Sequence, residues 1–359
     1  MAGAGSTAGA GSADRGTEGG GAGSHRDRVR GALLGGAVGD ALGWPVEFLR
    51  LEAIRQRFGP AGVTGLQGDQ VTDDTQMTLF TAEGLLRGGH PEALKAAYHR
   101  WLLTQRLSAP ERQPDGWLLG HAFLYASRAP GTACLTGLTE HPRYEPAAEF
   151  GRPGPVNPHS KGCGTVMRSA PFGLVGLGVE DAFRQAALAA QLTHGHPTGY
   201  LAAGAFAALV ERLAAGVPLP SAVAETTAQV AALPGAGETV TALERAVRVA
   251  AEGPGSAEAV ERVGLGWIAE ECLAIAVYCA LVAGPREALL LSVNHSGDSD
   301  STGAVCGNLV GAVHGLTALP AEWTGAVEGR EVLLQVADDL VAQAGGDRAA
   351  LAGRYPVWV

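Results

Sequence analysis

A chain of 359 residues, 46% hydrophobic and 17% charged, can bury a sizeable core and is not intrinsically disordered. Its formal charge of −10 lacks the basic footprint of a nucleic-acid binder. Its five cysteines, an odd number with no C-x-x-C pair, exclude a disulfide framework and a zinc ribbon and suit a reducing cytosol.

Residues 1–24 are Gly/Ala/Ser-rich, without a basic n-region or a continuous apolar h-region, and read as a flexible tail rather than a signal peptide. One all-α domain is expected over residues 25–359, because 53 glycines and only 6% aromatic residues favour a single core of closely packed, small-residue helices. Residues 30–42 are small and apolar on nearly every face, as in a buried helix whose glycines permit close backbone approach. Asp40 lies inside that run, as a buried hydrogen-bonded carboxylate or a support for a nearby site. Apolar spacing predicts further helices over 75–86 and 92–103, then short helices and long loops in the Pro- and Gly-rich stretch 108–158. Helical periodicity returns over 181–192, 199–213, 222–233, 238–251, 270–282, 301–316 and 331–344, with no alternating strand and no long-period repeat. The apolar stretch 267–284 contains Glu270 and Glu271, so it reads as a core helix and not a membrane span.

Two acidic segments carry the chemistry: Val71-Thr72-Asp73-Asp74-Thr75-Gln76-Met77 and Ser296-Gly297-Asp298-Ser299-Asp300-Ser301-Thr302-Gly303. Each sets two carboxylates and flanking hydroxyls beside helix-like sequence. Carboxylates this close repel unless a cation lies between them, and Mg²⁺ or Mn²⁺ takes oxygen ligands of this kind. Either segment alone could be a helix cap. If folding joins them, they offer enough oxygens for a two-metal centre. Thr72 stands where a helix would start, with Asp73 and Asp74 in its first turn. Asp298 and Asp300 are expected in an extended turn, and Ser301 is expected to open the next helix.

Five segments resemble the ADP-ribosylglycohydrolases, a family that includes the ADP-ribosylarginine hydrolases and the dinitrogenase reductase-activating glycohydrolases. They are Gly39-Asp40-Ala41-Leu42-Gly43 with Glu47-Phe48; Thr72-Asp73-Asp74-Thr75; Lys161 to Arg168; Thr193 to Tyr200; and Ser296 to Gly303, in the family's order. The resemblance implies an orthogonal helical bundle with two divalent ions, Mg²⁺ or Mn²⁺, at the base of a substrate cleft. It implies Thr72, Asp73, Asp74, Asp298, Asp300 and Ser301 as metal ligands, and Asp73, Asp74 and Glu47 as catalytic groups, Glu47 matching the family's mobile acidic residue. Gly162, Cys163, Gly164, Met167, His194 and Tyr200 would contact the ADP-ribose. Glycine N–H groups can meet diphosphate oxygens there. Cys163 has no evident base and is not expected to be a nucleophile; Arg168 is an anion contact or a structural arginine. His194 and His196 as a zinc pair lack further nitrogen or sulfur ligands.

The implied reaction is hydrolysis of the C1″ glycosidic bond between ADP-ribose and a modified protein side chain, arginine being favoured, with ADP-ribose as product. The expected enzyme is a cytoplasmic monomer with no membrane or nucleic-acid partner. Other ADP-ribose linkages (serine, O-acetyl-ADP-ribose, nucleobase), a non-catalytic ADP-ribose-binding member and a plain two-metal phosphoesterase stay open.

Overall fold

The computed structural model describes Met1 and residues 24–141 and 143–357. Sixteen α-helices occur among the described residues. The first eight are α1 (His25–Gly43), α2 (Leu51–Phe58), α3 (Asp73–Leu86), α4 (Pro91–Thr104), α5 (Thr132–Glu140), α6 (Val179–Ala190), α7 (Pro197–Ala214) and α8 (Leu219–Ala231). There follow α9 (Gly237–Ala250), α10 (Ala257–Val263), α11 (Ala269–Val282), α12 (Pro285–Val293), α13 (Ser299–His314), α14 (Ala321–Ala326), α15 (Arg330–Ala344) and α16 (Arg348–Leu351). The all-α expectation holds: among the described residues the only strand-like pairing is an isolated antiparallel bridge, Gly162 to Ile268.

Every helix expected from periodicity is present, several with moved ends. Helix α1 starts a turn earlier than expected, because Ser24 caps it: its hydroxyl accepts from the Asp27 N–H and its carbonyl from the Arg28 N–H. Ser24 therefore belongs to the first helix; the rest of the expected tail, residues 2–23, lies outside the described residues. The unexpected helices α2, α10, α12, α14 and α16 span only four to nine residues, too short for a 3.6-residue period to stand out.

Glycine sets the centre of the fold. Gly31, Gly35, Gly39 and Gly43 recur every four residues and so form one stripe along α1. That stripe lies antiparallel against Gly311, Gly307, Gly303 and Ser299 of α13, backbone on backbone. A Cβ added to Gly39 would stand 1.9 Å from the Gly303 carbonyl oxygen, and one on Gly307 would stand 1.9 Å from that of Gly35. Each mid-helix glycine costs about 1 kcal/mol in helix propensity, offset here by contacts that any side chain would abolish. Asn308 locks the register by donating its amide to the Ala32 carbonyl at 2.8 Å. The α1–α13 pair is flanked by α15 and α3 on one side and by α11 and α12 on the other. No helix among the described residues is long and apolar enough to cross a membrane.

Candidate metal centre

The first acidic segment is built on the N-terminus of α3. Thr72 is the N-cap, its hydroxyl accepting from the Asp74 N–H at 3.3 Å, so Asp73 and Asp74 occupy the first turn as expected. Asp40, from the buried run of α1, reaches the same helix end. It accepts from the N–H groups of Thr72 (3.0 Å) and Thr75 (3.2 Å) and from the Thr75 hydroxyl (2.6 Å). A carboxylate is favoured at a helix N-terminus, where N–H groups lack intrahelical partners. Asp40 thus fixes the orientation of the Thr72–Thr75 turn. Asp73 accepts from the Gly131 N–H at 3.3 Å.

The second segment is built on the N-terminus of α13. Asp298 is its N-cap, and helix begins at Ser299, two residues before the expected start. Asp300 therefore projects from a first helical turn and not from an extended one. Both Asp298 and Asp300 accept from the Ser301 N–H, at 3.4 and 3.0 Å. The reason for the early start is local: the Asp298 side chain caps the helix by accepting from the Ser301 N–H. His295, which sequence reading passed over, is fully buried beside it and hydrogen-bonds the Thr302 hydroxyl at 2.9 Å. Its place directly before the Ser296 motif was the available signal.

The close packing of α1 on α13 joins the parts. A Cβ on Gly43 would lie 2.5 Å from the Asp300 Cα, and the Glu47 N–H donates to the Gly43 carbonyl. Glu47 is thereby delivered to the second segment: carboxylate oxygens of Glu47, Asp298 and Asp300 lie within 4.8 Å of one another. The two segments also act on each other. Burial holds Asp300 well above the usual carboxylate range, and Asp74, Asp298 and Glu47 push it further. Burial and then Asp73 do the same to Asp74, which shares a hydrogen bond with Ser301. Burial raises Asp73, and Asp40, Glu47 and Asp298 add to it. Glu47 is raised to about 8 by burial and Asp298, and Asp40 to about 6 by burial.

Such a set suits a hard cation. Asp73, Asp74, Asp298 and Asp300 are each less than 5% exposed. Glu47 Oε2 and Asp74 Oδ2 are buried without a hydrogen-bond partner. An orphaned buried carboxylate oxygen is costly, and here it occurs twice among side chains that offer only oxygen donors. Divalent ions held among these carboxylates would satisfy such oxygens and relieve the mutual repulsion.

Of the residues expected against the ADP-ribose, Gly162, Cys163, Gly164 and Met167 form a wall beside this cluster, with Cys163 and Met167 in contact with it. Lys161 anchors their loop, donating to Glu238 (2.7 Å) and Glu270 (2.5 Å). The loop pairs with the segment before α11: Cys163 N–H donates to the Trp267 carbonyl, and Ala269 N–H to that of Lys161. The Cys163 thiol donates to Asp298 at 2.8 Å. Burial and Asp298 hold that thiol well above its ordinary value, so it stays protonated and is a poor nucleophile. Met167 is buried with its sulfur 3.9 Å from the Ser301 hydroxyl.

His194, Arg168 and Tyr200 are buried behind this wall. His194 is 2% exposed and packs under Gly162 and Gly164, its Nδ1 2.7 Å from the Thr193 hydroxyl. Burial, then Arg168, lowers it to about 3, which keeps it neutral. His196 caps α7 instead of joining it in a zinc pair. Arg168 donates to the Thr193 hydroxyl and lies over the Tyr98 ring, the structural of its two expected roles. The Tyr200 hydroxyl accepts from the Gly151 N–H and donates to the Arg152 carbonyl, tying down the loop before the wall.

The profile of the family described as ADP-ribosylglycohydrolase matches residues 22–350. The chain belongs to the ADP-ribosylglycohydrolase family. It is 27% identical to the ADP-ribosyl-[dinitrogen reductase] glycohydrolase of Rhodospirillum rubrum, over 90% of this chain and 99% of that one. It is 26% identical to the ADP-ribosylarginine hydrolase Tri1 of Pseudomonas putida (strain GB-1), over 89% of this chain and 79% of the relative. A solved structure described as an ADP-ribosylglycohydrolase-related protein complex superposes with a TM-score of 0.61 at 29% identity, over 89% of this chain and 99% of that chain. The all-helical architecture is thus that of an ADP-ribosylglycohydrolase neighbour, and the resemblance read from five motifs extends along nearly the whole sequence.

Proposed function

We propose that this glycohydrolase uses divalent metal to remove ADP-ribose from modified arginine by hydrolysing the C1″–nitrogen bond. The observation that carries the metal dependence is the unpartnered buried oxygen Glu47 Oε2 in a cluster with Asp298 and Asp300, with a second such oxygen, Asp74 Oδ2, on the segment that acts on Asp300. Arginine is the linkage in the name of the Pseudomonas relative, and the chain's net charge of −10 permits an acidic surface that would attract a cationic leaving group.

Thr72, Asp73, Asp74, Asp298, Asp300 and Ser301 would hold two ions, Mg²⁺ or Mn²⁺, with Glu47 beside them. When bound, the ions supply positive charge for the ribose hydroxyls and make a water more acidic. The protein's own work is proton handling and exclusion of bulk water. Glycosidic cleavage passes through an oxocarbenium-like transition state that needs a positioned water and a protonated leaving group. Carboxyl oxygens of Asp73, Asp74 or Glu47 accept the water's proton and return one to the departing guanidine; carboxyls this close titrate as a set. Gly162, Cys163 and Gly164 form the adjoining wall for the rest of ADP-ribose, with His194 as its neutral backing and Tyr200 as its tether. The cytosol suits the five free cysteines.

The test compares kcat/KM on matched arginine- and serine-linked ADP-ribosyl peptides. A clear arginine preference, with free ADP-ribose as product, is expected. Serine preference would overturn the linkage, and a cleaved pyrophosphate would overturn glycohydrolysis in favour of phosphoesterase chemistry.

A further inference from the structure

Among the described residues eight large apolar side chains are exposed, and three of them, Phe48, Leu265 and Trp267, flank the carboxylate cluster. Phe48 directly follows Glu47. Trp267 lies on the other rim, its carbonyl bonded to the Cys163 N–H, while a Cβ on neighbouring Gly266 would stand 3.3 Å from the Cβ of Asp298. The two rings stack on each other, centroids 5.3 Å apart and planes 23° from parallel, which leaves their outer faces free.

Packing alone does not account for this pair. Phe48 has φ +65°, a left-handed conformation that costs a bulky side chain free energy. Phe48 is 67% exposed and Trp267 is 39% exposed, so burial returns little of that cost. The strained residue sits directly after Glu47 with most of its side chain in solvent. The rim is held rigid: Leu265 accepts from the Asp298 N–H and donates its own N–H to Glu271 at 2.9 Å.

We propose that Phe48 and Trp267 form the specificity platform for the modified side chain, taking the planar, cationic guanidinium of an ADP-ribosylated arginine while the ribose faces the carboxylates. This rests on the arginine-glycohydrolase reading above. A guanidinium stays cationic after glycosylation of one nitrogen, and it is attracted to the negative face of Trp or Phe and can lie flat on it. A serine-linked side chain has neither plane nor charge to offer, so the platform discriminates between linkages through binding of the leaving group.

Steady-state kinetics of Trp267→Leu, Phe48→Leu and Trp267→Phe test this, with arginine- and serine-linked peptides and with ADP-ribose as product inhibitor. Melting temperatures serve as the folding control, since both rings are exposed. The Leu variants are expected to raise KM for the arginine peptide about three- to thirty-fold, the span between exposed and desolvated cation–π contacts. kcat, the serine peptide and the inhibition constant of ADP-ribose should change less than about twofold on the same scale, and Trp267→Phe should restore most of the loss. Equal losses on both peptides with weaker ADP-ribose inhibition would overturn the proposal and assign the pair to the adenine or ribose. Unchanged KM would also overturn it. Absence of ADP-ribose release from the arginine peptide by the unmodified enzyme would instead defeat the underlying reading, and this inference with it, before any variant is compared.

Discussion

Gly39→Ala adds one methyl group and should damage both the fold and the metal centre. The new Cβ would stand 1.9 Å from the Gly303 carbonyl oxygen, whereas Cβ atoms essentially never approach closer than 3.0 Å. The obstructing atom is backbone in the middle of α13 and cannot rotate away, so the helices must part by more than about 1 Å along this stripe. Overpacking of this sort costs about 3 kcal/mol at the upper end of the usual range, against about 1 kcal/mol regained in helix propensity. The expected net loss is about 2 kcal/mol, or about 3 °C in Tm for a protein of this size. The same displacement carries Asp300 away from Glu47 and Asp74, and misplacement of about 1 Å can cost about 100-fold in kcat/KM. Gly237→Ala is the control, because no atom lies within 4 Å of a Cβ at the start of α9; it should be neutral or stabilise by about 0.5 kcal/mol. Calorimetric melting of both variants, with metal titration, decides the matter. Equal melting temperatures and equal metal affinities for the two would refute the claim that the α1–α13 contact positions the site.

Asp300→Asn should weaken Mg²⁺ or Mn²⁺ binding in isothermal titration while leaving the metal-free protein folded and slightly more stable, since it removes one of several repelling carboxylates; unchanged affinity would remove Asp300 from the ligand set. In chelator, stability should fall as pH rises from about 5 to about 8. Glu47 and Asp40 have folded values raised to about 8 and about 6, so their favourable contribution is complete below the ordinary carboxylate range and is lost as pH climbs through those values. Melting curves at stepped pH would show it, and a Tm that climbs over that interval would contradict it. Cys163→Ser should keep activity within about threefold, because a hydroxyl can still donate to Asp298 and the thiol is no nucleophile; abolished turnover in a folded variant would reopen covalent chemistry.

The parts of the site that sequence made legible are those whose geometry is local. Thr72, Asp73 and Asp74 begin a helix because a capping residue precedes apolar spacing; at the second segment the same logic placed a helix start but two residues late, at Ser301 instead of Ser299. The glycine spacing of α1 foretold close backbone approach but not the partner, since nothing within residues 30–42 names α13. Contacts between distant segments had no local signal. The Cys163 bond to Asp298 spans 135 positions, and the Phe48–Trp267 stack joins loops that no periodicity connects. Burial was also hidden from motif reading: His194 and Tyr200 stand in a segment that resembles a ligand wall, yet both lie behind it, one neutral and one tethering a loop.

Release of ADP-ribose from an arginine-linked ADP-ribosyl peptide, followed by chromatography with mass detection in Mg²⁺, in Mn²⁺ and in excess chelator, tests the central claim most directly. Intact ADP-ribose and unmodified arginine are predicted with either ion, with none in chelator and recovery on adding metal back. Turnover at full rate in chelator, or products cleaved at the pyrophosphate, would contradict the account of a metal-dependent glycohydrolase.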